Sequence, residues 1–132
     1  MDRGLILETT FLVDLEREAG RQEPGPAMGF LEAAPEQRLC ITLTTAGEMA
    51  SGVANRNQAE WDKLFQRFDV LEPDRDVAWR YGQLYGYLRD QGRLIGANDL
   101  WIAATAVTHA LPLVTRNLDE FRRVPELEVM AY

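Results

Sequence analysis

Apolar positions in this chain fall into two rhythms that take turns. The stretch GLILE at 4–8 is a short unbroken apolar run, the pattern of a strand buried on both faces. Leu12, Val13 and Leu15, set among polar residues up to Gly20, switch to the helical period and predict a first helix. RQEPGPAMG at 21–29 reads as a loop, and a short helix around Met28, Phe30 and Leu31 should stop before Pro35. RLCITL at 38–43 predicts the second strand. A helix is expected from about Thr45 to Asn55, and another over 57–68, with Trp61, Leu64, Phe65 and Phe68 on one face.

DVLEP at 69–73 reads as a short strand or edge segment. Val77, Tyr81, Leu84 and Leu88 stripe a helix that ends near Gly92. NDLWIAATAVTHA at 98–110 predicts a helix with Asn98 as its N-cap. LPLVT at 111–115 is a strand, NLDEF at 117–121 one helical turn and LEVMAY the last strand. Strands alternating with helices imply one three-layer α/β domain over 1–132. Its central, mostly parallel sheet has about four or five strands and is flanked by helices. In such folds reactive groups gather outside the C-terminal ends of the strands. Both aromatic stripes are first of all core candidates, with a partner surface as the other reading.

Composition narrows the chemistry. No apolar stretch approaches the roughly 18 residues of a membrane span, and the start of the chain has no signal-peptide pattern. A lone cysteine, Cys40, excludes an internal disulfide and favours a reducing, cytoplasmic setting. It falls in a predicted strand and reads as core. The lone His109 lies at a helix end, where it complements the dipole or faces solvent, and a Ser/His/Asp site is disfavoured. No glycine-rich nucleotide fingerprint is present. A net charge of −7 opposes nucleic-acid binding by the surface at large, although one local patch suffices.

What remains is acid. Glu8 ends the first strand, Glu48 follows the second, and Asp99 opens the helix before the fourth. TRNLDEF adds Thr115, Asn117, Asp119 and Glu120 after it. Taken singly, most have a plain structural reading. Glu48 completes a T-x-x-E capping box with Thr45, Asp99 suits a helix N-terminus, and Asp119 and Glu120 read as solvated surface acids. Glu8 has the weakest such reading, because glutamate is a poor strand residue and not a favoured N-cap. Taken together, carboxylates from separate segments in one crevice must hold protons or share a cation. Oxygen ligands without His or Cys select Mg²⁺ or Mn²⁺. Such a site suits phosphodiester hydrolysis without a protein nucleophile.

The segments LILETTFLVDLER, TTAGEMASG and GANDLWIAATAVTHALPLVTRNLDEFRRVPELEVMAY resemble, in this order and across the whole chain, the PIN-domain family and within it the VapC-type toxins. The resemblance implies an Mg²⁺- or Mn²⁺-dependent endoribonuclease, the toxin of a type II toxin–antitoxin system. Its implied partners are RNA and a VapB-like antitoxin, in a homodimer or a hetero-oligomer with the antitoxin and without a membrane. Carried over by motif, Glu8, Glu48 and Asp99 are the metal acids and Asn117 the fourth polar position. Thr9 and Thr115 become positioning hydroxyls. Arg116 is either an RNA contact or a surface salt bridge. The family normally has aspartate where this chain has Glu8, and one methylene displaces the carboxylate by about 1.5 Å. That departure leaves open an adjusted natural site, an introduced change or a degenerate domain. The alternative function is therefore a silent PIN-like module that acts by binding its antitoxin. A different metal phosphoesterase on a similar sheet is a third reading.

Overall fold

The computed structural model describes residues 4–52 and 57–132. Five parallel strands form the sheet: β1 (Gly4–Leu7), β2 (Arg38–Thr42), β3 (Asp69–Leu71), β4 (Leu113–Val114) and β5 (Val129–Met130), in the order β3-β2-β1-β4-β5. All four residues of β1 are buried, as a central strand covered on both faces requires. Its side chains alternate between the layers. Ile6 joins Cys40 and Leu113 in one core cluster, while Leu5 and Leu7 join Ile41 and Val114 in the other.

The helices divide accordingly. α1 (Thr9–Arg21), α2 (Pro26–Ala33), α3 (Leu43–Ala50), α4 (Gln58–Asp62) and α5 (Leu64–Arg67) lie on the Leu5/Leu7 side, contributing Phe11, Leu12, Met49, Leu64 and Phe68 among others. α6 (Arg75–Asp90), α7 (Ala97–His109) and the single turn α8 (Leu118–Phe121) supply Val77, Leu84, Leu88, Leu100, Ile102 and Phe121 to the Ile6 side. Cys40 is core, and His109 is exposed in the last turn of α7.

Several boundaries differ from the sequence expectation. The helix expected over 57–68 is two short helices broken at Lys63. Leu64 and Phe68 are buried, whereas Phe65 faces outward with its ring edge-on to Trp61. α3 begins at Leu43, two residues early, because the Thr42 hydroxyl accepts from Thr45 N–H at 3.0 Å and so caps it. Residues 53–55 of that expected helix lie outside the described residues. α7 starts at Ala97 with Gly96 as N-cap, which makes Asn98 an in-helix residue and not the cap. The two C-terminal strands are two residues each, shorter than expected.

One buried acid outside the site serves the fold. Glu18, 3% exposed, accepts from Ala27 N–H at 3.0 Å and Met28 N–H at 2.9 Å, so a side chain of α1 closes the open N-terminus of α2. Gly25 makes room for it, since a Cβ there would lie 2.5 Å from Glu18 Cδ. Gly25→Ala is expected to cost about 1–3 kcal/mol by displacing the carboxylate from both bonds. In a Glu18→Ala background the same change should cost little. Additive losses in that double-mutant cycle, measured by urea unfolding, would disconnect the two positions.

Candidate active site

The strand order reverses between β1 and β4: β1 leads towards β2 and β3 on one side, and β4 leads to β5 on the other. Connections diverge at such a point and leave a crevice beyond the C-terminal strand ends. The ladder carries the chain directly into it. Glu8 N–H donates to Val114 O at 3.0 Å, and Thr115 N–H donates to Met130 O at 3.0 Å, which sets Glu8 and Thr115 side by side.

Glu8 has left the strand and is the N-cap of α1, with extended backbone. This differs from the sequence reading, which ended β1 at Glu8 and gave the residue no capping role. Oε2 accepts from Thr10 N–H at 3.2 Å, while Oε1 accepts the Thr10 hydroxyl at 2.7 Å and the Thr115 hydroxyl at 2.6 Å. Each hydroxyl is oriented in turn by a backbone donor, Arg116 N–H at 3.0 Å to Thr10 and Asn117 N–H at 2.9 Å to Thr115. Glu8 is 3% exposed and Thr115 fully buried. A carboxylate offers about four lone-pair sites. Three are taken, and one site on Oε2 is left for a ligand.

Glu48 is oriented from α1 rather than by a capping box. The Thr9 hydroxyl donates to Glu48 Oε1 at 2.7 Å, and the buried Thr45 hydroxyl stands 3.0 Å from Thr9, placed to donate to it. The T-x-x-E reading fails because Thr42 has already capped α3, which puts Thr45 inside the helix. Asp99 lies in the first turn of α7. Its carboxyl is pushed up to about 7, first by burial, then by a hydrogen bond with Glu120 and by the charges of Glu8, Glu120 and Glu48. The four acids therefore share one electrostatic neighbourhood, and near neutrality Asp99 holds back a proton.

Glu120 is the site residue that sequence reasoning missed. It is half-buried and faces Asp99, where a solvated acid was expected. Asn117, the expected fourth polar position, contributes its backbone N–H to Thr115, and among the described residues its side chain makes no hydrogen bond. Glu120 directly precedes Phe121, whose complete burial pins that single turn against the sheet, and no spacing in the sequence marks it. Thr10 and Thr45 were likewise overlooked. Arg116 is held by a salt bridge, its Nη1 reaching Asp14 Oδ1 at 2.8 Å and Oδ2 at 3.0 Å. The Tyr132 hydroxyl donates to the same carboxylate, and burial followed by that bond pushes the phenol well above its ordinary value.

Whether this donor set suits a cation can be judged from the acids themselves. Among the described residues no three His, Cys, Asp or Glu side chains are gathered tightly enough to form a ready cage. The acids ring the crevice instead, all oxygen and with one surplus proton, and a divalent ion is a natural replacement for that proton. An all-oxygen donor set is the kind that a hard cation takes.

The comparisons agree with this geometry. The PIN domain family matches residues 5–127. A protein named Ribonuclease VapC1 from Haemophilus influenzae is 34% identical over 99 residues, covering 71% of this chain and 74% of its own. Ribonuclease VapC1 of Methanocaldococcus jannaschii is 26% identical over 129 residues, covering 97% and 86%. Among solved structures, VapBC2 from Rickettsia felis bound to a promoter DNA fragment superposes with a TM-score of 0.78 at 28% identity, covering 97% of this chain and 98% of that one. VapBC-1 from nontypeable Haemophilus influenzae gives 0.74 at 28%, covering 96% of each. The match in sequence, in the five-stranded sheet and in its helical layers has one reading: this chain belongs to the PIN-domain family, among its VapC-type members.

Proposed function

We propose that this chain is a divalent-metal-dependent endoribonuclease, the toxin of a type II toxin–antitoxin pair acting in the cytoplasm. The observation that carries the proposal is the convergence of Glu8, Glu48, Asp99 and Glu120 on one crevice, where burial and then these neighbours push the Asp99 carboxyl up to about 7. Glu8, Glu48, Asp99 and Glu120 would hold Mg²⁺ or Mn²⁺. The chemistry supplied there is Lewis-acid polarisation of the phosphodiester and activation of a water.

The protein's own groups set the stage for that chemistry. Thr10 and Thr115 fix Glu8, and Thr9, backed by Thr45, fixes Glu48, so two acids stand in place before substrate arrives. Asp99, hydrogen-bonded to Glu120, forms the adaptable side of the site, since neutralising the cluster frees its proton. RNA phosphates meet a chain of net charge −7, so approach to the crevice depends on that neutralisation. Arg116, bound to Asp14, braces α1 against the end of β4, which supports the salt-bridge reading of this residue. The similar solved structures include VapBC complexes from Rickettsia felis, Haemophilus influenzae and Salmonella typhimurium, two of these three bound to DNA, and a VapB-like antitoxin is the partner proposed for this chain.

The test is cleavage of single-stranded RNA by the purified chain with Mn²⁺ or Mg²⁺. Cleavage that starts with either ion and stops with EDTA is expected. Undiminished cleavage in EDTA overturns the metal requirement. No cleavage with either ion, together with tight antitoxin binding, favours a silent module.

A further inference from the structure

Beside Glu48 lies a cavity of about 500 Å³, lined by Thr44, Gly47, Glu48, Ser51 and Asn98. Its volume is within the range of small-ligand sites, about 300–1,000 Å³. The lining narrows the ligand. It contains one carboxylate, two hydroxyls and one amide, with no cation and no aromatic ring. A phosphate would face the Glu48 carboxylate with no cation to offset the repulsion, and an apolar group would leave the hydroxyls and amide unpaired. A neutral ligand rich in donors and acceptors suits it.

The polar groups are available. Among the described residues the Thr44 hydroxyl and the Asn98 amide make no hydrogen bond, and Asn98 is released from capping because Gly96 holds that position. Ser51 Oγ donates to Glu48 O at 2.6 Å and keeps its lone pairs for acceptance. The helix floor is bare as well. Gly47 sits inside α3, where glycine is a poor helix former, yet a Cβ there would meet nothing within 4 Å. Packing within the described chain does not ask for glycine at 47. The open floor leaves that side of the cavity free for a ligand.

Resting on the ribonuclease reading, we infer that this cavity is a nucleoside subsite: it takes one unpaired base next to the phosphate that is cut. Single-stranded RNA presents splayed bases whose edges are read by hydrogen bonds. Asn98 offers a donor and an acceptor side by side, as base readout by asparagine requires. With no ring to stack on, recognition here is by hydrogen bonding and confers base preference.

Gly47→Leu fills the cavity. Gly82→Leu makes the same change in α6, where a Cβ also meets nothing within 4 Å, and serves as the control. Fluorescence anisotropy with labelled A, C and U decaribonucleotides, in EDTA and then in Mn²⁺, reads binding. Gly47→Leu is expected to weaken binding of the best decamer by on the order of tenfold, with Gly82→Leu at parental affinity. Asn98→Ala should narrow the spread among the three decamers by a similar factor. Thermal melting confirms that each variant is folded. If Gly47→Leu binds as the parent does and Asn98→Ala keeps the parental preference, the subsite is refuted. If the parent binds decamers and Gly47→Leu weakens them while no RNA is cut in Mn²⁺, the subsite stands and the nuclease reading falls. A parent that binds no decamer refutes both.

Discussion

Asp99→Asn should abolish metal-dependent RNA cleavage, by on the order of 10²–10³-fold, and at the same time stabilise the metal-free protein at pH 8. Both effects follow from the same crowding. The Asp99 carboxyl has an ordinary value of 3.8 and is raised to about 7 in the fold. Below pH 3.8 folded and unfolded chains both hold its proton, and the group contributes nothing. Between 3.8 and 7 the unfolded chain releases the proton first, so folding stability declines as pH rises. Above 7 the full penalty of charging Asp99, buried and beside Glu120, Glu8 and Glu48, remains. Asparagine has no such proton to lose. The variant should melt higher than the parent at pH 8 and lose that advantage at pH 4, in EDTA throughout. Mn²⁺ should raise the parent's melting temperature at pH 8 far more than the variant's. A variant that cuts RNA normally would remove Asp99 from the site. One that melts below the parent at pH 8 would show that its hydrogen bond with Glu120 outweighs the repulsion.

The two rhythms of apolar residues were enough to find every strand and nearly every helix, because a parallel sheet buried on both faces leaves little freedom in where Leu5–Leu7 or Leu113–Val114 can go. Helix starts were less legible. Thr45–Glu48 and Asn98 both satisfy a capping pattern, yet Thr42 and Gly96 take the caps, since a local motif does not say which of two neighbouring residues leaves the strand first. Lys63 breaks a helix whose apolar stripe runs on uninterrupted, because periodicity reports the buried face and not backbone continuity.

The site divides in the same way. Glu8, Glu48 and Asp99 could be named because each stands at a strand end or helix mouth that the pattern predicts, and all three reach the same crevice. Glu120 could not, because its direction depends on how Phe121 seats a single turn, a fact of packing rather than of spacing. The supporting hydroxyls were visible only in part. Thr9 and Thr115 stand beside acids or strand ends, whereas Thr10 and Thr45 act through bonds that close only when α1 meets β4 and α3.

Glu8→Gln should reduce cleavage about as strongly as Asp99→Asn and also weaken the fold, whereas Glu8→Asp should leave cleavage unchanged or raise it. Glutamine has the shape of glutamate but carries no charge for a cation, and one of its two terminal atoms becomes a donor. Whichever way the amide turns, that donor faces either Thr10 N–H or the two hydroxyls now bonded to Oε1, and the lost bonds cost about 1–3 kcal/mol. Aspartate keeps the charge and is a preferred N-cap, so α1 remains closed at its N-terminus. Its carboxylate withdraws by about 1.5 Å. That movement loosens the grip of Thr115 and frees lone pairs that Glu8 now gives to hydroxyls. The extra methylene thus has a structural consequence: the side chain folds back on its own helix and leaves one lone pair for a ligand. Urea unfolding and single-turnover cleavage of the three proteins separate capping from ligation. Full activity in Glu8→Gln would make Glu8 a cap alone, and a loss beyond about tenfold in Glu8→Asp would mean that the crevice is built around glutamate.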